Sequence, residues 1–110
     1  MKTDRPTTAF EQRVYDATRQ IPRGRVTTYG LLAAHINCGS AQAVGQALKR
    51  NPFAPQVPCH RVIASDLTLG GFQGQRGGAA LRRKTAMLAR EGVAFRDGWL
   101  VDLGRVFPFR

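Results

Sequence analysis

The sequence predicts a mainly α domain with a small β-hairpin, organised around a helix-turn-helix. Four segments carry apolar residues at helical spacing, two of these are short and joined by a tight glycine turn, and an Asp-Gly pair near the end is flanked by short apolar runs. With 110 residues, 43% of them hydrophobic, one core and therefore a single domain over 1–110 is expected.

The first helix is expected from about residue 9. Thr8 and Glu11 fit a capping box, in which a hydroxyl and a carboxylate each satisfy a free backbone donor. Phe10, Val14, Ala17 and Ile21 form its buried stripe, and Pro22-Arg23-Gly24 ends it. Arg25-Val26-Thr27 crosses in extended form. Thr27 or Thr28 then caps a second helix with Tyr29, Leu32, Ala33 and Ile36 on one side, closed by Asn37-Cys38-Gly39. Ser40 caps a third, Ala41 to Arg50, with Ala41, Val44 and Leu48 inward and Gln42, Gln46 and Lys49 outward. Its small residues Ala41, Ala43, Gly45 and Ala47 suit close approach to a groove, and equally suit high helix propensity or tight helix packing.

Asn51-Pro52 stops that helix, and three prolines in the seven residues 52–58 make the approach to Cys59 stiff and extended. Val62-Ile63-Ala64 reads as a short strand, followed by a glycine-rich loop over 70–78 that lacks the spacing of a nucleotide phosphate loop. A last helix is expected from about Ala79 to Glu91, with Leu81, Leu88 and Ala89 inward, Arg82, Arg83 and Arg90 outward, and Gly92 as its stop. Residues 93–102 then form a hairpin around Asp97-Gly98.

A net charge of +10 predicts attraction to a polyanion, nucleic acid before an anionic membrane. No acidic residue lies between Asp16 and Asp66, where six Lys and Arg residues fall. Charge alone would equally suit an architectural DNA-binding protein. Nothing reads as a membrane span or signal peptide, which points to the cytoplasm. Two cysteines are too few for a disulfide framework, so free thiols in a reducing compartment are expected, and no metal site is expected from two histidines.

A thiol with an ordinary pKa near 8.5 needs a base or a cation to react at neutral pH. Cys59 has His60 beside it, and Glu91 is the one glutamate not assigned to a cap, so a Cys-His-Glu relay is chemically complete. A packing cysteine next to a satisfied histidine is the alternative.

Val26-Thr27-Thr28-Tyr29-Gly30, Ala43-Val44-Gly45, Asn51-Pro52, Pro58-Cys59-His60-Arg61-Val62-Ile63 and Gly71-Phe72-Gln73-Gly74 together resemble, in order and spacing, the C-terminal domain of the O6-alkylguanine-DNA alkyltransferases. The resemblance runs from about Phe10 to Gly92. It implies a winged helix-turn-helix-like DNA-binding domain that enters the minor groove, flips the damaged nucleotide and presents it to Cys59. It implies His60 as the base acting through a water, Glu91 as the group orienting His60, Asn51 as a hinge and Tyr29 as donor to the guanine. Thr27, Thr28, Gly30, Ser40, Gln42, Ala43, Gly45, Gln46, Lys49 and Ser65 would contact DNA. Val62, Phe72, Gln73 and Gly74 would line the base pocket. No cofactor is implied, and the expected partner is double-stranded DNA containing O6-alkylguanine, met by a monomer alongside other repair proteins. The alkylated protein would be spent after one event.

Three features depart from that pattern, one of them a longer glycine loop, Gln75 to Ala79, with a tail ending Phe107-Pro108-Phe109-Arg110. No N-terminal domain is expected before the shared region, a likeness to the alkyltransferase-like proteins, which bind alkylated guanine without transferring the group. Gln42 stands where the family places an intercalating arginine, which should lower the salt dependence of binding by about one phosphate-equivalent. The expected activity is irreversible transfer to Cys59, and a non-catalytic protein that flags the lesion is the alternative.

Overall fold

A computed structural model describes residues 6–72 and 77–109. Helix α1 (Ala9–Thr18) leads through a turn to strand β1 (Thr27–Thr28), then α2 (Tyr29–His35) and α3 (Ala41–Lys49). A short 3-10 turn (Cys59–Arg61) runs into β2 (Val62–Ile63), and α4 (Gly78–Arg90) is followed by the hairpin β3 (Phe95–Arg96) and β4 (Trp99–Leu100). Among the described residues no helix is long and apolar enough to cross a membrane.

The local signals act as expected. Thr8 Oγ1 accepts from the Glu11 amide at 3.0 Å while Glu11 accepts from the Thr8 amide at 3.1 Å, completing the capping box. Thr28 and Ser40 cap α2 and α3 through their hydroxyls, each cap contributing about 1 kcal/mol. Asp97 and Gly98 both adopt positive φ, the geometry of a type I′ turn whose twist matches its strands.

Two strands 35 residues apart in sequence hold the centre together. β1 pairs in parallel with β2, Thr27 opposite Val62 and Thr28 opposite Ile63. Alternation along β2 sends Val62 into a core built on α1, α2 and α3, and Ile63 into a second core with Val26, Leu88, Val93 and Leu100. On its other side this segment meets the C-terminal tail: Val26 pairs with Val106, the Phe107 amide donates to the Val26 carbonyl, and Thr27 Oγ1 donates to the Phe107 carbonyl. Phe109 stacks on His35, so the tail lies against α2.

Two inward stripes differ from expectation. In α3 the buried positions are Val44, Ala47 and Leu48, and Ala41, in the first turn, is exposed. In α4 they are Ala80, Lys84 and Leu88, a stride of four, which leaves Ala89 exposed and Leu81 half-buried.

Candidate active site

The 3-10 turn places Cys59 and His60 side by side, both buried. Asn51, just past α3, fixes the approach: its Nδ2 donates to the Val57 carbonyl at 3.0 Å, its Oδ1 accepts from the Phe53 amide at 2.9 Å, and its amide also bonds the thiol. The loop from the helix-turn-helix to the cysteine is therefore latched by one side chain. Burial pushes the Cys59 thiol above its ordinary pKa, opposed by the bond from Asn51 and by the charge of Lys84. A thiol so placed needs a base to react near neutral pH.

That base is adjacent. Burial pulls the His60 imidazole below its ordinary pKa, against the bond and charge of Glu91, so the ring is neutral at pH 7. Its Nε2 lies 3.0 Å from Glu91 Oε2. An ionised carboxylate only accepts, so Nε2 carries the proton and Nδ1 is left as acceptor. Glu91 stands at the C-cap of α4 and is also gripped by Arg61, whose Nε and Nη2 bond its two oxygens at 2.9 Å each while Nη1 reaches the Ile21 carbonyl at 2.8 Å. Burial favours the neutral carboxyl, but the bonds and charges of Arg61 and His60 outweigh it and hold Glu91 at about 2.

A folded-state value below the ordinary 4.5 means that Glu91 contributes stability above pH 4.5 and loses it as pH falls towards about 2. Denaturant midpoints measured from pH 7 to pH 2 should fall through this window, and less steeply in Glu91→Gln.

Lys84, from α4, lies beneath the cysteine segment, fully buried, and donates at 2.8 Å to each of three carbonyls, those of Val62, Leu69 and Gly71. Burial lowers it to about 7, opposed by its attraction to Cys59. The three bonds join strand β2 to the loop that carries Phe72.

Beside this cluster Tyr29 sits at the start of α2, half-buried. Its ring is 4.0 Å from where a Cβ on Gly45 would stand and 3.5 Å from one on Gly70, so it lies between α3 and the 69–72 loop. A side chain at Gly70 would also meet the Ala64 backbone nitrogen at 3.2 Å, with φ at +74°. Ser65 Oγ accepts from the Gly30 amide at 3.2 Å, tying the turn after β2 to α2. Phe72 lines a cavity of about 300 Å³ that opens onto Cys59 and His60.

Gln42, Gln46 and Lys49 are exposed on the outer face of α3, with Ala43 and Gly45 half-buried beside them and Ser40 exposed at its cap. Three expectations are corrected or lie beyond reach. Thr27 and Thr28 are both buried, the hydroxyl of Thr27 donating to the Phe107 carbonyl and that of Thr28 accepting from the Leu31 amide, so neither side chain faces a DNA partner. Val62 is fully buried too, and its carbonyl takes a bond from Lys84, so it backs the pocket instead of lining it. Gln73 and Gly74 lie outside the described residues. Arg61 and Lys84 were not singled out from the sequence. The signal for Lys84 was its position between Ala80 and Leu88, since a lysine within an apolar stride of four must find acceptors indoors.

A helix-turn-helix with its third helix turned outward, and a buried thiol latched to the end of that helix beside a neutral imidazole, define a DNA-binding domain of the helix-turn-helix class with a cysteine site. The chain belongs to the family described as 6-O-methylguanine DNA methyltransferase, DNA binding domain, whose model matches residues 9–93. It is 44% identical over 87 residues to the methylated-DNA–protein-cysteine methyltransferase of Methanothermobacter thermautotrophicus, covering 79% of this chain and 46% of that protein. The Mycobacterium tuberculosis OGT solved in complex with DNA superposes with a TM-score of 0.70 at 42% identity, covering 78% of this chain and 51% of that one. S. pombe Atl1, solved in complex with damaged DNA containing O6-carboxymethylguanine, superposes with a TM-score of 0.78 at 32% identity, covering 97% and 98%. The chain spans about half the length of the curated methyltransferases it matches first.

Proposed function

We propose that this chain extrudes O6-alkylguanine from duplex DNA and transfers the alkyl group irreversibly to Cys59. The observation that carries the reading is the buried thiol beside a neutral imidazole whose far nitrogen is bonded to an ionised carboxylate. His60 Nδ1 takes the thiol proton through a water, Glu91 stabilises the imidazolium that forms, and the sulfur attacks the alkyl carbon as the guanine O6 departs. Tyr29, between α3 and the 69–72 loop, faces the base and donates to it as charge develops. Asn51 holds the cysteine to the recognition helix. Gly30, Ser40, Gln42, Ala43, Gly45, Gln46, Lys49 and Ser65 form the DNA face, and residues 1–110 act as one domain. A thioether has no easy leaving path, so each molecule acts once.

The reading is supported by methyltransferase relatives above 40% identity. A second reading, lesion recognition without transfer, is favoured by the near end-to-end match with S. pombe Atl1 and by Gln42 in place of an arginine. Incubation with duplex DNA containing O6-methylguanine, followed by intact and peptide mass measurement, separates them. A gain of one methyl located on Cys59 is expected. Tight lesion-selective binding with no change in mass would establish the second reading.

A further inference from the structure

Glu91 can orient His60 only if the end of α4 is itself held in place, and three arginines from separate parts of the chain meet there. Arg61 bonds the Glu91 carboxylate and reaches the Ile21 carbonyl. Arg23 Nη2 donates to the Arg90 carbonyl at 2.9 Å, and Arg105 Nη1 donates to the Gly24 carbonyl at 3.1 Å. The turn at 21–24 is pressed against the helix end. A Cβ on Gly24 would stand 3.3 Å from both Arg105 Nη1 and the Glu91 carbonyl oxygen, and one on Gly92 would stand 3.5 Å from Arg105 Nη2. The Arg105 guanidinium therefore lies over the backbone that leaves Glu91. Closure of the helix uses the Leu88 and Ala89 carbonyls, which accept from the Val93 and Gly92 amides, and Arg23 and Arg105 meet the negative end of the helix dipole beyond them. Arg105 is anchored at its root as well. Its carbonyl accepts from the Val26 amide at 2.8 Å and from Arg25 Nε at 3.3 Å, and Asp102 Oδ2 stands 3.6 Å from its Nε. A side chain fixed at both ends ties the position of the α4 terminus to that of β1.

We infer that Arg105 is a positioning residue for the transfer reaction: it sets the end of α4 and, through Glu91, the ring of His60. The inference rests on transfer to Cys59 as proposed above. The relay needs the Glu91 carboxylate within hydrogen-bond reach of His60 Nε2, so that the proton stays on that nitrogen and Nδ1 stays free to accept. Without the guanidinium the Gly24 carbonyl loses its bond, and the backbone at 91–92 loses the group packed on it. Glu91 keeps Arg61, but its main chain gains freedom. A misplacement on the order of 1 Å is enough to cost a reaction up to about 10²-fold, and the partial loosening expected here lowers transfer about five- to tenfold. Arg105 touches neither the thiol nor the lesion, so the loss falls on the chemical step and not on recognition.

The test reads His60 directly, through its ring nitrogens by nitrogen NMR of the DNA-free protein at neutral pH, with His35→Gln telling the two histidines apart. The natural protein, Arg105→Ala, Arg105→Lys and Phe109→Ala are compared, each well below its melting temperature. The natural protein should show one tautomer, protonated at Nε2. Arg105→Ala should show a mixture of the two, and Arg105→Lys, which keeps a donor for the Gly24 carbonyl, should recover most of the natural signal. Phe109→Ala removes the stack on His35 from the same tail and should leave His60 unchanged, which separates Arg105 from a tail that has come loose. Arg105→Gln, which keeps most of the stem but not the cation, serves if Arg105→Ala does not fold. In single-turnover reactions with O6-methylguanine DNA, Arg105→Ala should lower the rate constant at saturating DNA about five- to tenfold with lesion affinity unchanged. An unaltered tautomer or an unaltered rate constant in Arg105→Ala overturns the inference, and so does an equal change in Phe109→Ala. If the natural protein is left unalkylated at Cys59, the proposed function fails, and the tautomer comparison alone then decides whether Arg105 positions His60.

Discussion

Replacing Lys84 by methionine should lower stability by about 3–5 kcal/mol, the largest effect of any single change outside the apolar core. Methionine matches the length and volume of the buried stem but donates nothing. The carbonyls of Val62, Leu69 and Gly71 would each lose a bond of 2.8 Å in a place that is closed to water. For a domain of this size the melting temperature should fall by roughly 12–20 °C. Lys84→Arg should recover only part of the loss, because a planar fork cannot satisfy three acceptors arranged around an ammonium. Thermal melts followed by circular dichroism read both variants. A methionine variant within about 1 kcal/mol of the natural protein would show that the carbonyls find other donors.

The second large effect is on transfer. His60→Ala should slow single-turnover alkylation by O6-methylguanine DNA about 10²- to 10⁴-fold, the usual contribution of a positioned base. The loss should appear in the rate constant at saturating DNA and not in lesion affinity, since His60 is 4% exposed and its ring is bonded to Glu91. The remaining thiol sits above its ordinary pKa, so the residual rate should climb about tenfold per pH unit between pH 7 and 8.5, where the natural protein stays level. Equal rates for the two proteins at pH 7 would remove His60 from the mechanism.

Much of this architecture was legible because its determinants are local. A capping box, two hydroxyl caps and an Asp-Gly turn are each settled by residues within four positions of one another, and each appears where the pattern placed it. The relay was legible for a different reason: histidine and glutamate are scarce here, so few pairings were open, and the family motifs fixed which. What escaped depends on distance in sequence. The β1–β2 pairing joins residues 35 apart through only two residues of each strand, too short to show alternation. Arg61 was one more cation in a basic chain until the fold brought Glu91 and the Ile21 carbonyl to it. Ala89 is exposed because the buried stride of α4 runs through Ala80, Lys84 and Leu88, and the ammonium of Lys84 finds three acceptors that no apolar periodicity encodes.

The pairing of Val26 with Val106 carries a consequence for synthesis. Strand β1 has one neighbour more than thirty residues downstream and another about eighty residues downstream, and the second of these arrives last as the chain emerges. Before Arg105, Val106 and Phe107 leave the ribosome, Val26 and Thr27 lack the partners that flank them in the finished sheet. Loop closure over so long a span is slow, so the helix-turn-helix can assemble from its neighbours while the sheet at its centre stays open on one side. A growing chain therefore holds β1 with only one of its two neighbours until residues 105–107 have been made, and closure of that edge is a late gain of the folding process.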